Sequence, residues 1–504
     1  MARLKGIEKL ITELKKTEAG LKQGHAADKN SYDQRFLVEG YDGIDLTAIA
    51  GSVAARNAIE RGYRSIAVGR DVRNKAYLIA DAFIKGALSE DMEVIDVGIT
   101  TTPNCEYVAG HFGIPNAMVT ASHMNSAEIG LKINYPRMVE RKDMMIIEQL
   151  AYEKRSTGGT LRHGGEMATQ MLYDRLAKIP NSDGKVKVCI DSTNGVSSIF
   201  LKKVLVERGV EVARALRDVP DGNFPTLHNH SPDPTKYQNL EGLSDAVKCS
   251  GSEVGFFLDG DGDRTVVVTS DGKALDAAYL AVLFSTHFSA QGNGAYVLDP
   301  MLEFIGPVLK RMDIMPEVTK KRGRPYIKAA IFDYKNASDE MVRQVLGGAE
   351  NSFHFYDNQG LDCGIANVLY MIEICKKGNF DDRLKRIGKE MPFYTPELRV
   401  EFKDMGDSEF SRQVEEIVKF SQDHYQVTKD DGYKISDGSS YARIRTSAHE
   451  PGVATIVFWN VGNDRIGAEQ FFQSVTCNTS KAFYETIMKA YDKEMDVRNN
   501  MFVH

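Results

Sequence analysis

Ser65-Ile-Ala-Val-Gly-Arg-Asp71 opens a pattern that the chain uses three times. A short apolar strand runs into a polar loop containing Asp, a helical stretch follows near Ala76 to Ser89, and Glu93-Val-Ile-Asp-Val97 supplies a second strand. The second copy runs through Val186-Lys-Val-Cys-Ile-Asp191, a helix near Ser197 to Arg208 and Glu211-Val-Ala-Arg214. The third runs through Ala295-Tyr-Val-Leu-Asp299, a helix near Phe304 to Arg311 and Glu317-Val-Thr319. Strands alternating with helices of this length predict three related α/β domains, each a mixed sheet with helices on both faces. Beyond about residue 392 the pattern changes. A helix at 408–425, strands at Tyr441-Ala-Arg-Ile-Arg445 and Val453-Ala-Thr-Ile-Val-Phe-Trp459, and a last helix from Gln470 to Asp492 predict a smaller α+β domain. Stretches containing Gly, Pro or Asn near Asp183, Gly292 and Pro392 divide the chain into 1–182, 183–291, 292–391 and 392–504.

At 504 residues the chain exceeds what one core supports. Seventy acidic against 63 basic residues give a net charge of −7, which argues against nucleic-acid or anionic-membrane partners. The six cysteines are scattered without a Cys-x-x-Cys pair, so neither a zinc site nor a disulfide framework is expected and a reducing, cytoplasmic compartment fits. They read as small core residues. Arg3, Lys5, Glu8, Lys9 and Glu13 interrupt any signal-like apolar run, and no membrane span is expected elsewhere. Ile7, Leu10, Ile11 and Leu14 instead predict an amphipathic helix laid on the protein or on a partner subunit.

Four loops carry candidate chemistry. Val254-Gly-Phe-Phe-Leu-Asp259-Gly-Asp261-Gly-Asp263-Arg264 places three hard oxygen ligands on alternate positions, with Gly260 and Gly262 free to curl until they converge. That is either a solvated acidic turn or a divalent-cation site, Mg²⁺ first. A calcium EF-hand fails, because its sixth and twelfth positions would be Arg264 and Ser270. Ala121-Ser122-His123-Met124-Asn125 follows a strand-like stretch and precedes Gly130-Leu-Lys132; its serine is a candidate nucleophile or a turn residue. Gly347-Gly-Ala-Glu350-Asn-Ser352-Phe-His354 combines a carboxylate, a hydroxyl and an imidazole of the kind that read sugar hydroxyls, or is a polar turn between helices. Arg445-Thr446-Ser447-Ala-His449 has the donors to grip a phosphate, or is an exposed hairpin. The basic stretch Lys320-Lys-Arg-Gly-Arg324-Pro-Tyr-Ile-Lys328 fits phosphate handling as well.

In this order the four loops resemble the α-D-phosphohexomutases, over about residues 35 to 465. Gly69-Arg-Asp71-Val-Arg73, Asp221-Gly-Asn-Phe-Pro225 and Pro232-Asp-Pro234 also match segments typical of that family. The resemblance implies a four-domain, heart-shaped enzyme with a central cleft. It implies that Ser122 is a phosphoserine, that Asp259, Asp261 and Asp263 hold Mg²⁺ together with a phosphoryl oxygen on Ser122, and that Arg264 lies beside them. It further implies that Glu350, Ser352 and His354 contact sugar hydroxyls and that Arg445, Thr446 and Ser447 grip the phosphate not being transferred. Lys132, Lys328 and Arg324 fall where the family handles phosphate or carries a catalytic group. The implied reaction interconverts hexose 1- and 6-phosphates of mannose or glucose through a hexose 1,6-bisphosphate that also activates the enzyme. The implied partners are the phosphosugar alone, on a monomer or homodimer.

Departures from the family pattern keep two other readings open. The usual Ser-His-Asn-Pro becomes Ser122-His-Met-Asn125, Asp45 stands where Arg is common, Arg324 replaces a histidine, Phe353 a glycine and His449 a threonine. Arginine does not titrate near neutral pH and so cannot replace a histidine as acid or base. The alternatives are a phosphoglucosamine mutase and, in a different class, a catalytically weakened sugar-phosphate sensor or structural protein.

Overall fold

The computed structural model describes residues 5–22, 31–37, 42–136, 152–154, 158–290, 292–335, 344–402, 407–430, 432–446, 453–477 and 479–501. These residues form four sheets. The chain divides into two compact units, one of residues 1–272 with 361–377 and one of 273–360 with 378–504.

Three of the sheets repeat one topology. In the first, Ser65–Arg70 pairs in parallel with both Glu93–Ile99 and Asn116–Val119, and the last of these turns back antiparallel against Glu128–Asn134. The second sheet uses Lys187–Asp191, Glu211–Leu216, Val254–Leu258 and Thr265–Thr269 in the same relation. The third uses Gly294–Leu298, Met315–Val318, Gln344–Ala349 and Phe355–Tyr356. Three strands are parallel and the fourth reverses, so each sheet is mixed, as the tripled pattern predicts. Alternation along the first sheet separates its two faces: Ile66, Val68, Ala117 and Val119 pack into one core, Ala67 and Met118 into another. Ile7, Leu10, Ile11 and Leu14 of the helix Lys5–Lys22 join the first of these cores.

Each copy has a buried aspartate at or just after the end of its first strand: Asp71, Asp191 and Asp299. Its carboxylate accepts the backbone N–H two residues on, from Arg73 at 3.0 Å, Thr193 at 3.0 Å and Met301 at 2.8 Å. An arginine then neutralises it: Arg73 at 3.2 Å, Arg217 at 2.8 Å and Arg322 at 3.5 Å. Burial raises all three carboxyls above their ordinary value despite those partners, Asp299 to about 6.

The helices depart from expectation in three places. The stretches expected as helices at 197–208 and 304–311 begin as 3₁₀ turns, Val196–Ile199 and Pro300–Ile305, before Leu201–Glu207 and Gly306–Arg311. Helix Ala277–Ser289 packs on the third sheet, and Gly364–Lys376 packs on the second, so contacts assign these helices differently from boundaries at 292 and 391. The expected last helix is two, Arg465–Thr476 and Lys481–Met501, because the Ser480 side chain accepts the Phe483 N–H at 3.3 Å and starts a new helix. The last sheet also contains Phe393–Tyr394, Leu398–Glu401, Gln426–Asp430 and Gly432–Ser436, beside Ser440–Thr446 and Val453–Asn460. Of the cysteines, four are buried, but Cys249 and Cys477 are exposed.

Removing one partner of a buried ion pair leaves an uncompensated charge, so Arg217→Ala is expected to destabilise the protein by about 3–5 kcal/mol in urea unfolding. Asp299 binds its proton more tightly folded than unfolded, so its contribution to stability falls as pH rises from about 4 to about 6. Asp299→Asn should lack that slope when urea midpoints are compared across the window.

Candidate functional site

In all three copies the loop that joins the third strand to the reversed fourth strand carries the candidate chemistry: 120–127, 259–264 and 350–354. The first two belong to one unit and meet there. Ser122 Oγ donates to Asp259 Oδ2 at 3.1 Å and lies 3.3 Å from His123 Nδ1. Lys132, on the reversed strand of the first sheet, donates from Nζ to Asp261 Oδ2 and to Asp263 Oδ2, both at 2.7 Å. Arg264 Nε stands 3.8 Å from Asp259 Oδ2. Ser122, Lys132, Arg264 and the three aspartates are all buried.

The two glycines act differently. Gly262 has φ +73°, open to glycine at no cost, and Gly260 passes so near that a Cβ would lie 2.8 Å from the Ser122 carbonyl oxygen. The loop is braced on its other side by Gly364, whose N–H donates to Gly262 O at 2.9 Å. Thr102, which sequence reading missed, bonds Asp261 twice, backbone to backbone at 3.0 Å and hydroxyl to Oδ2 at 2.5 Å. Thr102 begins the helix Thr102–Phe112, capped by Thr101, so the positive end of that helix faces the carboxylates. The signal for it was Thr100-Thr-Thr-Pro103, a helix-start pattern after the second strand.

Burial, with Asp263 and Asp261 close by, drives the Asp259 carboxyl well above its usual value. Burial and Asp263 push Asp261 the same way, but Lys132 and Thr102 outweigh them and Asp261 ends below its ordinary value. One oxygen of each aspartate lies within 4.8 Å of the others. Three carboxylates face two cations, and Asp261 Oδ1 is buried with no hydrogen bond. A hard divalent ion fits: it would take oxygen ligands and supply the missing charge.

The other unit holds the remaining candidates. Glu350 is buried, accepts from the Tyr356 hydroxyl, and its N–H donates to His354 O at 2.9 Å. Ser352 is half-buried and His354 buried. Phe353, where the family carries glycine, is a buried side chain at φ +69°, a left-handed conformation that explains the usual glycine. Arg324 and Lys328 sit four apart on helix Arg324–Lys335, hence on one face, both half-buried. Arg445 and Thr446 close the strand Ser440–Thr446; Ser447 and His449 lie outside the described residues. Glu397, also missed, ties these parts together. It accepts Arg322 through both oxygens at 2.8 and 3.0 Å and Asn351 at 3.1 Å. Burial raises its carboxyl, but Arg322, Asn351 and Arg445 outweigh that and hold it below the usual range. Nothing in the local pattern around Glu397 marks it. Asp45 is exposed in helix Asp42–Glu60.

Residues 43–157 match the family model of phosphoglucomutase/phosphomannomutase, alpha/beta/alpha domain I, and residues 169–272 match that of domain II. By these matches the chain is similar to the phosphoglucomutase/phosphomannomutase family across its first two sheets. A phosphomannomutase/phosphoglucomutase of Pseudomonas syringae is 26% identical over 432 residues, covering 84% of this chain and 89% of the relative. Among solved structures, a phosphoglucomutase/phosphomannomutase family protein of Burkholderia thailandensis shares the fold. Its TM-score is 0.73 at 20% identity, over 90% of this chain and 98% of that one. The N-acetylphosphoglucosamine mutase of Aspergillus fumigatus, solved with GlcNAc-6P and magnesium, shares it more distantly. There the TM-score is 0.53 at 13% identity, over 96% of this chain and 92% of that one. Among the described residues of this chain no helix is long and apolar enough to cross a membrane.

A bound ion stabilises the folded state by mass action, so adding Mg²⁺ to chelator-treated protein at a hundred times its dissociation constant should add about 2.7 kcal/mol. Asp261→Asn should lose most of that gain in the same thermal scan.

Proposed function

We propose that this chain interconverts hexose 1-phosphate and hexose 6-phosphate, with mannose and glucose as its sugars, through a phosphoserine at Ser122. The reading is carried by Ser122 Oγ, held 3.1 Å from Asp259 at the edge of a buried carboxylate cluster that Lys132 and Arg264 partly neutralise. Phosphoryl transfer needs in-line placement and neutralised charge, and little else from the protein.

Asp259, Asp261 and Asp263 would hold Mg²⁺, which when bound supplies charge stabilisation to the phosphoryl oxygens. Magnesium is also named with one relative of the same fold. The chain's own groups do the rest. A hexose 1,6-bisphosphate primes Ser122. The P–Oγ bond then breaks as a P–O bond forms to the free hydroxyl of the sugar phosphate; that hydroxyl gives up its proton, and Oγ takes one. The bisphosphate turns over, and Ser122 receives the phosphoryl group from its other end. Lys132 and Arg264 offset charge around Oγ. Glu350, Ser352 and His354 contact sugar hydroxyls, while Arg445, Thr446, Ser447, Lys328 and Arg324 bind the phosphate that does not react. The assignment distributes these roles over four domains of a cytoplasmic monomer or homodimer.

Purified protein is incubated with Mg²⁺, a trace of hexose 1,6-bisphosphate and, separately, glucose, mannose and glucosamine 1-phosphates. Conversion of the first two is expected. Ser122→Ala should lose about a thousandfold or more in rate and one phosphate in intact mass. No conversion of any sugar by protein carrying phosphate on Ser122 would sink the assignment.

A further inference from the structure

Ser122 sits at φ +51°, a left-handed backbone that a serine adopts only when its surroundings impose it. Four backbone carbonyls between Ser122 and Glu128 converge on one side chain, Arg73. Its Nη2 donates to Ser122 O at 2.7 Å and Met124 O at 2.8 Å, and its Nη1 donates to Asn125 O at 2.6 Å and Glu128 O at 3.1 Å. Nε donates to Asp71 Oδ2 at 3.2 Å. A guanidinium has five N–H donors, and all five are used. Asp71 also accepts from the Thr120 hydroxyl at 2.7 Å, and Thr120 Oγ1 accepts the Ser122 N–H at 2.8 Å. Ser122 is therefore held at both its N–H and its carbonyl by groups that end on one buried ion pair.

Arg73 is itself fixed from the second sheet's side. Phe224, fully buried, lies under the guanidinium with 4.9 Å between Cζ and the ring centre. Phe224 has φ +48°, held within Asp221-Gly-Asn-Phe-Pro225, and Gly222 approaches so closely that a Cβ would lie 2.6 Å from Arg73 Cα. The same segment continues to Ser231, whose hydroxyl donates to His123 O, and to His230, whose carbonyl accepts the Ser126 N–H at 2.9 Å.

We propose that Arg73 is a positioning residue that sets the Ser122 backbone against the carboxylate cluster, and that Phe224 and the 221–231 segment fix Arg73. The proposal rests on the mutase reading only in making Ser122 the group whose placement governs rate. Lysine keeps the charge but has three donors without the planar fork, so it cannot hold the four carbonyls.

The test is Arg73→Lys in the full chain. A displacement of about 1 Å at a reacting group costs about tenfold to a hundredfold, so kcat should fall by that amount. The dissociation constant of a hexose 6-phosphate, measured by calorimetry, should stay within about twofold, because the substrate contacts are elsewhere. Hydrogen exchange should quicken at residues 122–128 and stay unchanged in the strand Ser65–Arg70. Phe224→Leu should give the same pattern more weakly, and it stands in if the lysine variant does not fold. A lower melting midpoint with unchanged kcat of the folded fraction would make Arg73 merely structural and overturn the proposal. If the wild-type protein does not interconvert hexose phosphates, the mutase reading falls alone. Exchange at 122–128 then decides the positioning role, and unchanged exchange in both variants overturns it.

Discussion

Three carboxylates buried within 4.8 Å of one another repel, and none can shed its charge into water. Much of the first unit is arranged around that fact. Lys132 comes from the first sheet, Thr102 from the start of a helix and Arg264 from the loop itself. Their combined positive charge and donors still leave the cluster one charge short. The deficit favours a cation where the carboxylates would otherwise be intolerable.

The tripled sheet puts a loop with candidate chemistry at the same point of each copy. Each copy runs three parallel strands and then reverses, and the reversing loop emerges where parallel strands end, the usual place for ligand sites in such sheets. One loop supplies a hydroxyl, one supplies carboxylates, and one supplies a carboxylate with an imidazole. The scaffold under each is the same buried aspartate with its arginine. In the first copy that pair does more than in the others, because Arg73 reaches past Asp71 to the backbone of the Ser122 loop.

Periodicity carried much of this into the sequence. Ser65 to Val97, Val186 to Arg214 and Ala295 to Thr319 read as strand–loop–helix–strand because alternate burial on a sheet leaves a two-residue signature and a helix a 3.6-residue one. The 3₁₀ turns at Val196 and Pro300 were illegible, since apolar spacing over four residues does not separate them from a helix start. The strand Gln426–Asp430 is polar and read as no strand at all. Asp259, Asp261, Asp263 and Ser122 were legible as chemistry. Glu397 was not, and Arg73 and Thr102 showed only as part of a family-like segment and as a helix start, because each matters through a partner far away in the chain.

The sequence by itself determined the three α/β copies, the changed last domain, and which residues could ligate, attack or bind phosphate, since those depend on side-chain type and short-range spacing. Only the tertiary structure decided that Lys132 lies between Asp261 and Asp263, that Ser122 faces Asp259, and that four donors of Arg73 go to backbone carbonyls between Ser122 and Glu128. Charge pairing and carbonyl satisfaction in a buried site depend on distance in space, and residues 129 and 131 apart in the chain come within 3 Å only when the sheets are in place.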